Sequence, residues 1–187
     1  MTRIGVLALQ GDVREHVRIL DSLGSEAVEV KKPDQLASVD ALIVPGGEST
    51  TIGKMAVRFG LLEPVRAFID DGRPVYGTCA GMILLAGAVT DGDQPLVGAL
   101  DVVVKRNAFG RQNESFEADL PIRGLDEPFH AIFIRAPWIE KVGSDVEVLS
   151  EIGDHPVMVR QGRILATSFH PELTGDGRIH QMLLDLI

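Results

Sequence analysis

The chain contains a single cysteine among its 187 residues, so it cannot form an internal disulfide. No apolar run approaches the ~18 residues that a membrane-spanning helix requires, and the sequence predicts no such span. The N-terminus enters a strand-like pattern at once, without the apolar segment and cleavage site of a signal peptide. We therefore expect a cytoplasmic protein.

Positive charge is also scarce, since 18 Lys and Arg face 27 Asp and Glu and the net charge is -9. Nucleic acid and anionic membranes attract proteins with a positive field, so neither is expected as a partner. The composition, 45% hydrophobic and 24% charged, is ordinary for a globular protein. Nothing is repetitive, and the length fits one domain over residues 1–187.

Apolar strand-like runs alternate with amphipathic helical runs through the first half. This alternation predicts a parallel sheet with helices on both faces. The predicted strands are Ile4–Leu9, Ala27–Val30, Ala41–Val44 and a fourth run at Pro74-Val75-Tyr76. The predicted helices are Val13–Leu23, Thr50–Phe59, Leu62–Asp71 and Met82–Ala88.

The second half consists mainly of short strand candidates separated by turns, and we interpret these as antiparallel additions to the sheet. A final amphipathic helix is predicted from Ile179 to the last residue, with no stop signal. The predicted fold class is α/β, with an open, mostly parallel central sheet. The strand candidates of this half are Val97–Val104, Ser115–Leu120, Phe129–Ile134, Val146–Ser150, Val157–Gln161 and Ile164–Ser168.

The single cysteine lies in Gly77-Thr78-Cys79-Ala80-Gly81, between the fourth strand and an apolar helix. This is the cysteine form of the G-x-S-x-G elbow, a tight strand-to-helix turn that presents a nucleophile beneath free helix N–H groups. The flanking glycines permit the close backbone approach that an elbow needs. A small buried hydrophobe is the alternative interpretation of a lone cysteine. The glycines favour a nucleophile.

A cysteine nucleophile needs a base and a group that orients the base. Among five histidines, only His170 has a suitable setting, in Ser168-Phe169-His170-Pro171-Glu172 after a predicted strand. We expect Pro171 to keep this segment extended, so that Glu172 can accept from one imidazole nitrogen while the other faces the thiol. Cys79, His170 and Glu172 are the predicted catalytic triad. We interpret the other histidines as structural, and the spacings predict no metal site.

A glycine turn, Pro45-Gly46-Gly47-Glu48-Ser49-Thr50-Thr51, follows the third strand, at the edge where open α/β sheets bind ligands. The backbone N–H groups of Gly46 or Gly47, together with that of Ala80, are candidates for an oxyanion hole. An ordinary turn with Ser49 or Thr50 capping the next helix is compatible with this role.

These three motifs, in this order, resemble those of class I (triad) glutamine amidotransferases, which have a flavodoxin-like fold. Within the class the chain is similar to the glutaminase subunits of pyridoxal 5'-phosphate synthases, and the resemblance spans nearly the whole chain. The segments that carry it are Gly5-Val6-Leu7-Ala8-Leu9-Gln10-Gly11, Gly46-Gly47-Glu48-Ser49-Thr50-Thr51, Gly77-Thr78-Cys79-Ala80-Gly81-Met82, Arg106-Asn107-Ala108-Phe109-Gly110-Arg111-Gln112, Phe133-Ile134-Arg135-Ala136-Pro137 and Ser168-Phe169-His170-Pro171-Glu172.

The resemblance implies hydrolysis of L-glutamine to glutamate and ammonia. It also implies a hetero-oligomeric complex with a synthase (lyase) subunit that receives the ammonia, and a last helix that continues a little further. No cofactor is expected, since pyridoxal 5'-phosphate would be the product of the complex. Gln10 is expected at the mouth of the site, where it could contact the partner. The residues that the resemblance assigns to glutamine binding are Gly47, Glu48, Ser49, Arg106, Ile134 and Arg135.

Two alternatives from other functional classes stay open. A cysteine hydrolase or protease with the same elbow would cleave peptides without turning over glutamine. A non-catalytic regulatory subunit would keep its function when Cys79 is replaced by serine. The His170–Glu172 pair and the resemblance of the glutamine site disfavour the first alternative, and the intact triad argues against the second.

Overall fold

The computed structural model describes residues 2–109 and 115–187. The strands β1 to β12 are, in chain order, Arg3–Leu7, Glu26–Val30, Ala41–Val44, Val75–Thr78, Ala86–Val89, Leu100–Lys105, Ser115–Leu120, Phe129–Ile134, Trp138–Val142, Glu147–Ile152, His155–Gln161 and Ile164–Thr167. The helices α1 to α5 are Val13–Ser22, Ser49–Arg58, Leu62–Asp70, Ala80–Leu85 and Arg178–Leu184, and 3-10 helices span Pro33–Ser38 and Pro171–Leu173.

A seven-stranded sheet with the order β10-β11-β12-β4-β3-β1-β2 forms the centre of the molecule. Five of its strands, from β12 to β2, run parallel. The other two, β11 and β10, extend one edge in antiparallel pairs. The mostly parallel sheet with antiparallel additions is therefore confirmed.

Not every second-half strand joins this sheet as an antiparallel addition, and that part of the prediction is wrong. The strand at Ile164–Thr167 pairs in parallel with β4, although the hairpin at Gly162 makes it antiparallel to β11. The hairpin of β7 and β8 forms a separate two-stranded sheet, and β5, β6 and β9 form a three-stranded one. Alternation of apolar and polar residues shows that a strand has a buried face, but it does not identify the element that covers that face.

Two helix boundaries also differ from the prediction. The apolar run Met82–Ala88 is not one helix, because α4 ends at Leu85 and the next residues pair with β6. An apolar run without a polar face has no period that separates a buried helix from a buried strand. The last helix ends at Leu184 instead of Ile187, since the final N–H groups bond three residues back, as in a turn.

Alternate side chains of the central strands feed two apolar layers. Leu42 and Val44 of β3 pack with α2, α3, α4 and the three-stranded sheet. Ala41 and Ile43 point the other way and pack with α1, α5 and the β7–β8 hairpin. Helices thus cover both faces of the sheet, as its buried parallel strands require. Among the described residues, no helix is long and apolar enough to cross a membrane.

The first turn of α4 lies against the end of β3 with almost no space between the backbones. A Cβ atom added to Gly81 would lie 1.9 Å from the carbonyl oxygen of Val44, and one added to Gly77 would lie 2.7 Å from the carbonyl carbon of Gly81. Both clashes involve backbone atoms, which cannot move aside as a side chain can. The two glycines are therefore required by the packing of α4 on the sheet.

We expect Gly81→Ala to lower the free energy of unfolding by about 3 kcal/mol, because α4 must shift away from β3 to admit the methyl group. Urea unfolding at neutral pH measures the loss. Gly60→Ala is the matched control, since Gly60 has φ +64° but open space around it, and its cost of about 1 kcal/mol is conformational alone. Equal losses in both variants would contradict the steric explanation.

Candidate active site

The turn between β4 and α4 places Cys79 at the carboxyl edge of the parallel sheet. Its φ of 48° lies in the left-handed region that favours glycine, so the turn holds this residue in a strained conformation. The backbone N–H of Cys79 donates to the carbonyl oxygen of Thr167 at 2.8 Å, which connects the turn to the end of β12. The side chain is 7% exposed and lines a pocket of about 350 Å³.

His170 follows β12 and lies in the same pocket, with its side chain almost fully buried. Its Nδ1 is 2.7 Å from Oε1 of Glu172, so the predicted contact between these two residues is present. The predicted backbone is wrong, because Pro171–Leu173 forms a 3-10 helix and is not extended. Proline is favoured at the first position of a helical turn, where its fixed φ fits and its missing N–H has no partner to lose.

The charge state of His170 is set by its neighbours. Burial alone would lower the pKa of the imidazole, but the side chains of Asp12, Cys79 and Glu172 outweigh burial and raise it to about 12. Burial raises the pKa of the Glu172 carboxyl, against the opposing charge and hydrogen bond of His170. The imidazole is therefore protonated at neutral pH. Its Nε2 has no hydrogen-bond partner among the residues that the structure describes.

Asp12 is a site residue that the sequence analysis missed. It lies in the turn between β1 and α1, with Oδ2 at 3.4 Å from Nδ1 of His170, and it lines the pocket. Asp12, His170 and Glu172 offer ligand atoms within 4.8 Å of one another, a grouping that could hold a metal ion. Nδ1 of His170 is already bonded to Glu172, however, so the grouping is explained by orientation of the imidazole.

The glycine turn after β3 packs closely between His170 and the turn that follows β1. A Cβ atom on Gly46 would lie 2.5 Å from Cε1 of His170, and one on Gly47 would lie 2.5 Å from Oε1 of Gln10. That same Gln10 oxygen accepts from the backbone N–H of Glu48 at 2.8 Å. Gln10 is exposed beside the site, where the sequence analysis placed it, and it holds the glycine turn.

Gly47 and Ala80 line the pocket beside Cys79, while Gly46 lies against the imidazole. All three candidates for the oxyanion hole are thus adjacent to the thiol or its base. Their role as donors stays a prediction.

Glu48 is the residue that caps α2, whereas the alternative interpretation of this turn had Ser49 or Thr50 as the cap. Its carboxylate accepts from the backbone N–H groups of Thr50 and Thr51 at 3.0 and 2.8 Å, and from Thr51 Oγ1 at 2.6 Å. The Thr51 hydroxyl and the two N–H groups lower the pKa of the carboxyl to about 2. Because both oxygens are occupied, Glu48 can line the pocket mainly with its backbone.

Ser49 and Arg106, both predicted ligand-binding residues, converge on Gln94, which the sequence analysis missed. Oε1 of Gln94 accepts from Oγ of Ser49 at 3.2 Å and from Nη1 of Arg106 at 3.1 Å. Arg106 also donates to Oγ1 of Thr50 and to Oδ2 of Asp91. The guanidinium is therefore fixed by the loop after β5 instead of projecting freely, and one edge of the pocket is rigid.

Ile134 and Arg135, the remaining predicted binding residues, line the pocket at the end of β8. Asn107 and Leu173 line it too and were not predicted. The structure thus brings the predicted residues together from distant parts of the chain. Cys79, His170 and the glycine turn follow parallel strands of the central sheet, whereas Arg106 and Arg135 follow β6 and β8 of the two smaller sheets. Gly110-Arg111-Gln112, the end of the motif that begins at Arg106, lies outside the described residues.

Two histidines interpreted as structural lie directly behind the triad. His16 of α1 and His180 of α5 are fully buried, with Nδ1 of His16 2.8 Å from Nε2 of His180. Nε2 of His16 is 3.8 Å from Oε2 of Glu172. The helical period carried a signal for this burial, since His16 lies three residues after Val13 and four before Leu20, on the apolar face.

Comparisons with known proteins agree with this geometry. A family model described as the SNO glutamine amidotransferase family matches residues 6–187. The pyridoxal 5'-phosphate synthase subunit PdxT of Parafrankia sp. (strain EAN1pec) is 62% identical over an alignment that covers 99% of this chain and 93% of that protein.

Solved structures show the same fold. A crystal structure titled as a glutamine amidotransferase has a TM-score of 0.94 and 55% identity, and the match covers 98% of this chain and 97% of that one. The structure of PurLQS from Thermotoga maritima has a TM-score of 0.72 at 18% identity, with 98% of each chain covered. The second likeness shows the fold alone.

We expect Glu48→Gln to lower the free energy of unfolding by about 1 kcal/mol at pH 7, because it removes a charged cap from the start of α2. The folded pKa of about 2 lies below the usual 4.5, so the stabilisation is complete above pH 4.5 and is lost as pH falls towards 2. Urea unfolding at pH 7 and at about pH 3 measures the difference from wild type, which should shrink in acid.

Glu63→Gln is the control for this prediction, since Glu63 lies in the first turn of α3 but makes no cap hydrogen bond. A change below about 0.5 kcal/mol is expected for this exposed residue. If the effect of Glu48→Gln were the same at both pH values, the charged cap would not be its cause.

Proposed function

The chain belongs to the SNO glutamine amidotransferase family, and on that premise we propose that it hydrolyses L-glutamine to L-glutamate and ammonia for a separate pyridoxal 5'-phosphate synthase subunit. The observation that carries the proposal is the buried triad at the edge of the sheet, where His170 contacts Glu172 at 2.7 Å and shares a pocket with Cys79. The proposal is supported by the Parafrankia relative, which is named as a pyridoxal 5'-phosphate synthase subunit.

The first half-reaction uses the protonated imidazole. Sγ of Cys79 attacks the side-chain amide carbon of glutamine, and the amide oxygen becomes an oxyanion facing the N–H groups of Gly47 and Ala80. His170, whose raised pKa keeps it protonated, then gives its Nε2 proton to the departing nitrogen. The C–N bond breaks, ammonia leaves, and a thioester joins the glutamyl group to Cys79.

The second half-reaction returns the enzyme to its starting state. The imidazole, now neutral, takes a proton from water, and the resulting hydroxide attacks the thioester carbon. The C–S bond breaks, glutamate leaves, and the proton stays on His170 beside the thiolate. Glu172 keeps the imidazole oriented through both steps, since its hydrogen bond to Nδ1 leaves Nε2 directed at the reacting atoms.

Recognition of an amino acid fits the mixture of groups around the pocket. Arg106 and Arg135 supply positive charge for the substrate carboxylate, while Ser49 and the backbone at Gly47 and Ile134 supply hydrogen-bonding groups. A volume of about 350 Å³ suits a ligand of this size. The triad contains every group that the hydrolysis needs, so the reaction uses no cofactor and no metal ion.

The way in which the glycine turn is held supports dependence on the partner. Gly47, Glu48 and Gln10 are exposed at the mouth of the site, and the bond from the Glu48 N–H to Gln10 lies among them. A synthase subunit docked there can reset the turn and with it the N–H groups proposed for the oxyanion hole. The isolated chain would then hydrolyse glutamine poorly, which prevents wasteful release of ammonia.

We expect Cys79→Ala to reduce ammonia release from glutamine by at least about a thousandfold, because no other group can form the thioester. Ammonia is measured with synthase subunit present, for wild type and variant at equal concentrations. Unchanged unfolding and unchanged association with the synthase serve as controls. Unchanged ammonia release would refute the function, and peptide cleavage without glutamine turnover would favour the protease alternative.

Glutamine turnover should rise when the synthase subunit is added, and Gln10→Ala should reduce that rise because the glycine turn loses its hydrogen bond to the side-chain oxygen. Titration of synthase into each form, with ammonia as the readout, measures the effect. Lys31→Ala is a control, since Lys31 lies in the neighbouring turn after β2 and its ammonium pairs with Glu29. Equal turnover with and without synthase would contradict the gating proposal.

A further inference from the structure

A buried chain of polar groups continues behind Glu172, beyond the residues that the reaction uses. Nδ1 of His16 lies 2.8 Å from Nε2 of His180, and Nε2 of His16 lies 3.3 Å from Oγ1 of Thr78 and 3.8 Å from Oε2 of Glu172. The helices α1 and α5, from opposite ends of the sequence, bring the two imidazoles together. Thr78 immediately precedes the nucleophile.

Both imidazoles are neutral at neutral pH. Burial, together with the neighbouring His180 and His170, holds the pKa of His16 well below its usual value. Burial lowers the pKa of His180 to about 4. A neutral imidazole carries one N–H and one bare nitrogen, so the contact between the two rings allows only two arrangements of protons.

In the first arrangement both rings carry the proton on Nε2. His180 then donates to Nδ1 of His16, and the N–H of His16 faces Thr78 and the carboxylate of Glu172. The Nδ1 of His180, which is buried and has no partner among the described residues, is a bare acceptor.

In the second arrangement His16 donates from Nδ1 to Nε2 of His180. The His180 Nδ1 must then carry a buried N–H with no acceptor among the described residues. The bare Nε2 of His16 can accept from the Thr78 hydroxyl, but its lone pair also lies 3.8 Å from a carboxylate oxygen. A buried donor without an acceptor is rarer and more costly in proteins than an under-satisfied acceptor. Both considerations favour the first arrangement.

In the first arrangement, the N–H of His16 lies near Oε2 of Glu172. Oε1 is bonded to His170, whereas Oε2 is buried and has no hydrogen bond among the described residues. A proton on Nε2 of His16, 3.8 Å away, is too distant for a hydrogen bond to Oε2 but stabilises its negative charge in this buried setting.

We propose that His16 is a positioning residue for Glu172, and that His180 holds it in the Nε2–H tautomer. The proposal rests on the proposed function, because it assigns the pair a role in keeping the triad carboxylate ionised and oriented. The positions of the protons on His16 and His180, however, are a property of the chain itself and do not depend on that function.

Long-range ¹H–¹⁵N NMR spectra of the full chain, labelled at histidine and recorded at neutral pH, test the proton position directly. The expected result is a proton on Nε2 and a bare Nδ1 in both His16 and His180. Exposed His130, whose pKa Asp119 and Glu117 raise, is the reference for a ring with protons on both nitrogens. A proton on Nδ1 of His16, or an imidazolium at that position, would overturn the proposal. This test needs no glutaminase activity, so its failure is separate from failure of the proposed function.

Kinetics in the complex with synthase test the effect on the triad. His180→Leu removes the donor to His16 and should lower kcat about tenfold with KM unchanged, since Glu172 acts on the imidazole and not on glutamine binding. His180→Gln keeps an N–H donor and should restore most of kcat. Equal losses of kcat in the two variants, or a loss that falls on KM, would overturn the proposal. If His180→Leu fails to fold, the NMR result on the unaltered chain decides.

Discussion

The contact between the backbone of α4 at Gly81 and the carbonyl oxygen of Val44 is the constraint on which the site depends. It fixes the first turn of α4 on the end of β3, and thereby fixes the strained Cys79 that begins this turn. A protein holds a non-glycine residue at φ 48° only when the surrounding packing leaves it no alternative. The sheet, through β3 and β4, supplies that packing, so the thiol position is a property of the fold and not of a loop.

The polar groups around the thiol are held by one another, and few of them are free. Glu48 caps a helix, Arg106 is tied to Asp91 and Gln94, and Gln10 holds the glycine turn. A site built in this way loses little conformational entropy when a ligand enters, because its side chains are already ordered. The buried Nε2 of His170 is one of the few polar atoms without a partner among the described residues, and it is the atom that must exchange protons.

The sequence predicted those parts of the site that are encoded locally. Cys79 on its glycine-flanked turn and the His170–Glu172 pair could be recognised because the chemistry and the spacing occur within five residues. Asp12, Gln94 and His16 could not, since each is a single polar residue whose partner is far away in the sequence. Asp12 meets His170 only after the central sheet has aligned the ends of β1 and β12, and Gln94 meets Ser49 only after the loop that follows β5 has packed against α2.

For the fold too, the features with a local sequence pattern were predicted and those without one were missed. Alternating strands and helices predicted the parallel sheet, because each βαβ unit has a local period. The strand at Trp138–Val142 was missed, since only Ile139 of this short segment is fully buried and charged residues follow. Sequence alone did not identify Glu48 as the cap of α2, because serine and threonine caps are commoner. A glutamate caps a helix where the backbone brings N–H groups to its carboxylate, as it does here with those of Thr50 and Thr51.

The place of β12 in the sheet governs when the thiol becomes reactive during synthesis. β12 lies between β4 and β11, next to the strand that carries Cys79, yet it leaves the ribosome long after β4. A nascent chain can pair β1 to β4 early, but until β12 has joined them it has neither the carbonyl of Thr167 that anchors the cysteine turn nor the imidazole of His170. Cys79 therefore meets the imidazole of His170 only after β12 and the residues that follow it have been synthesised.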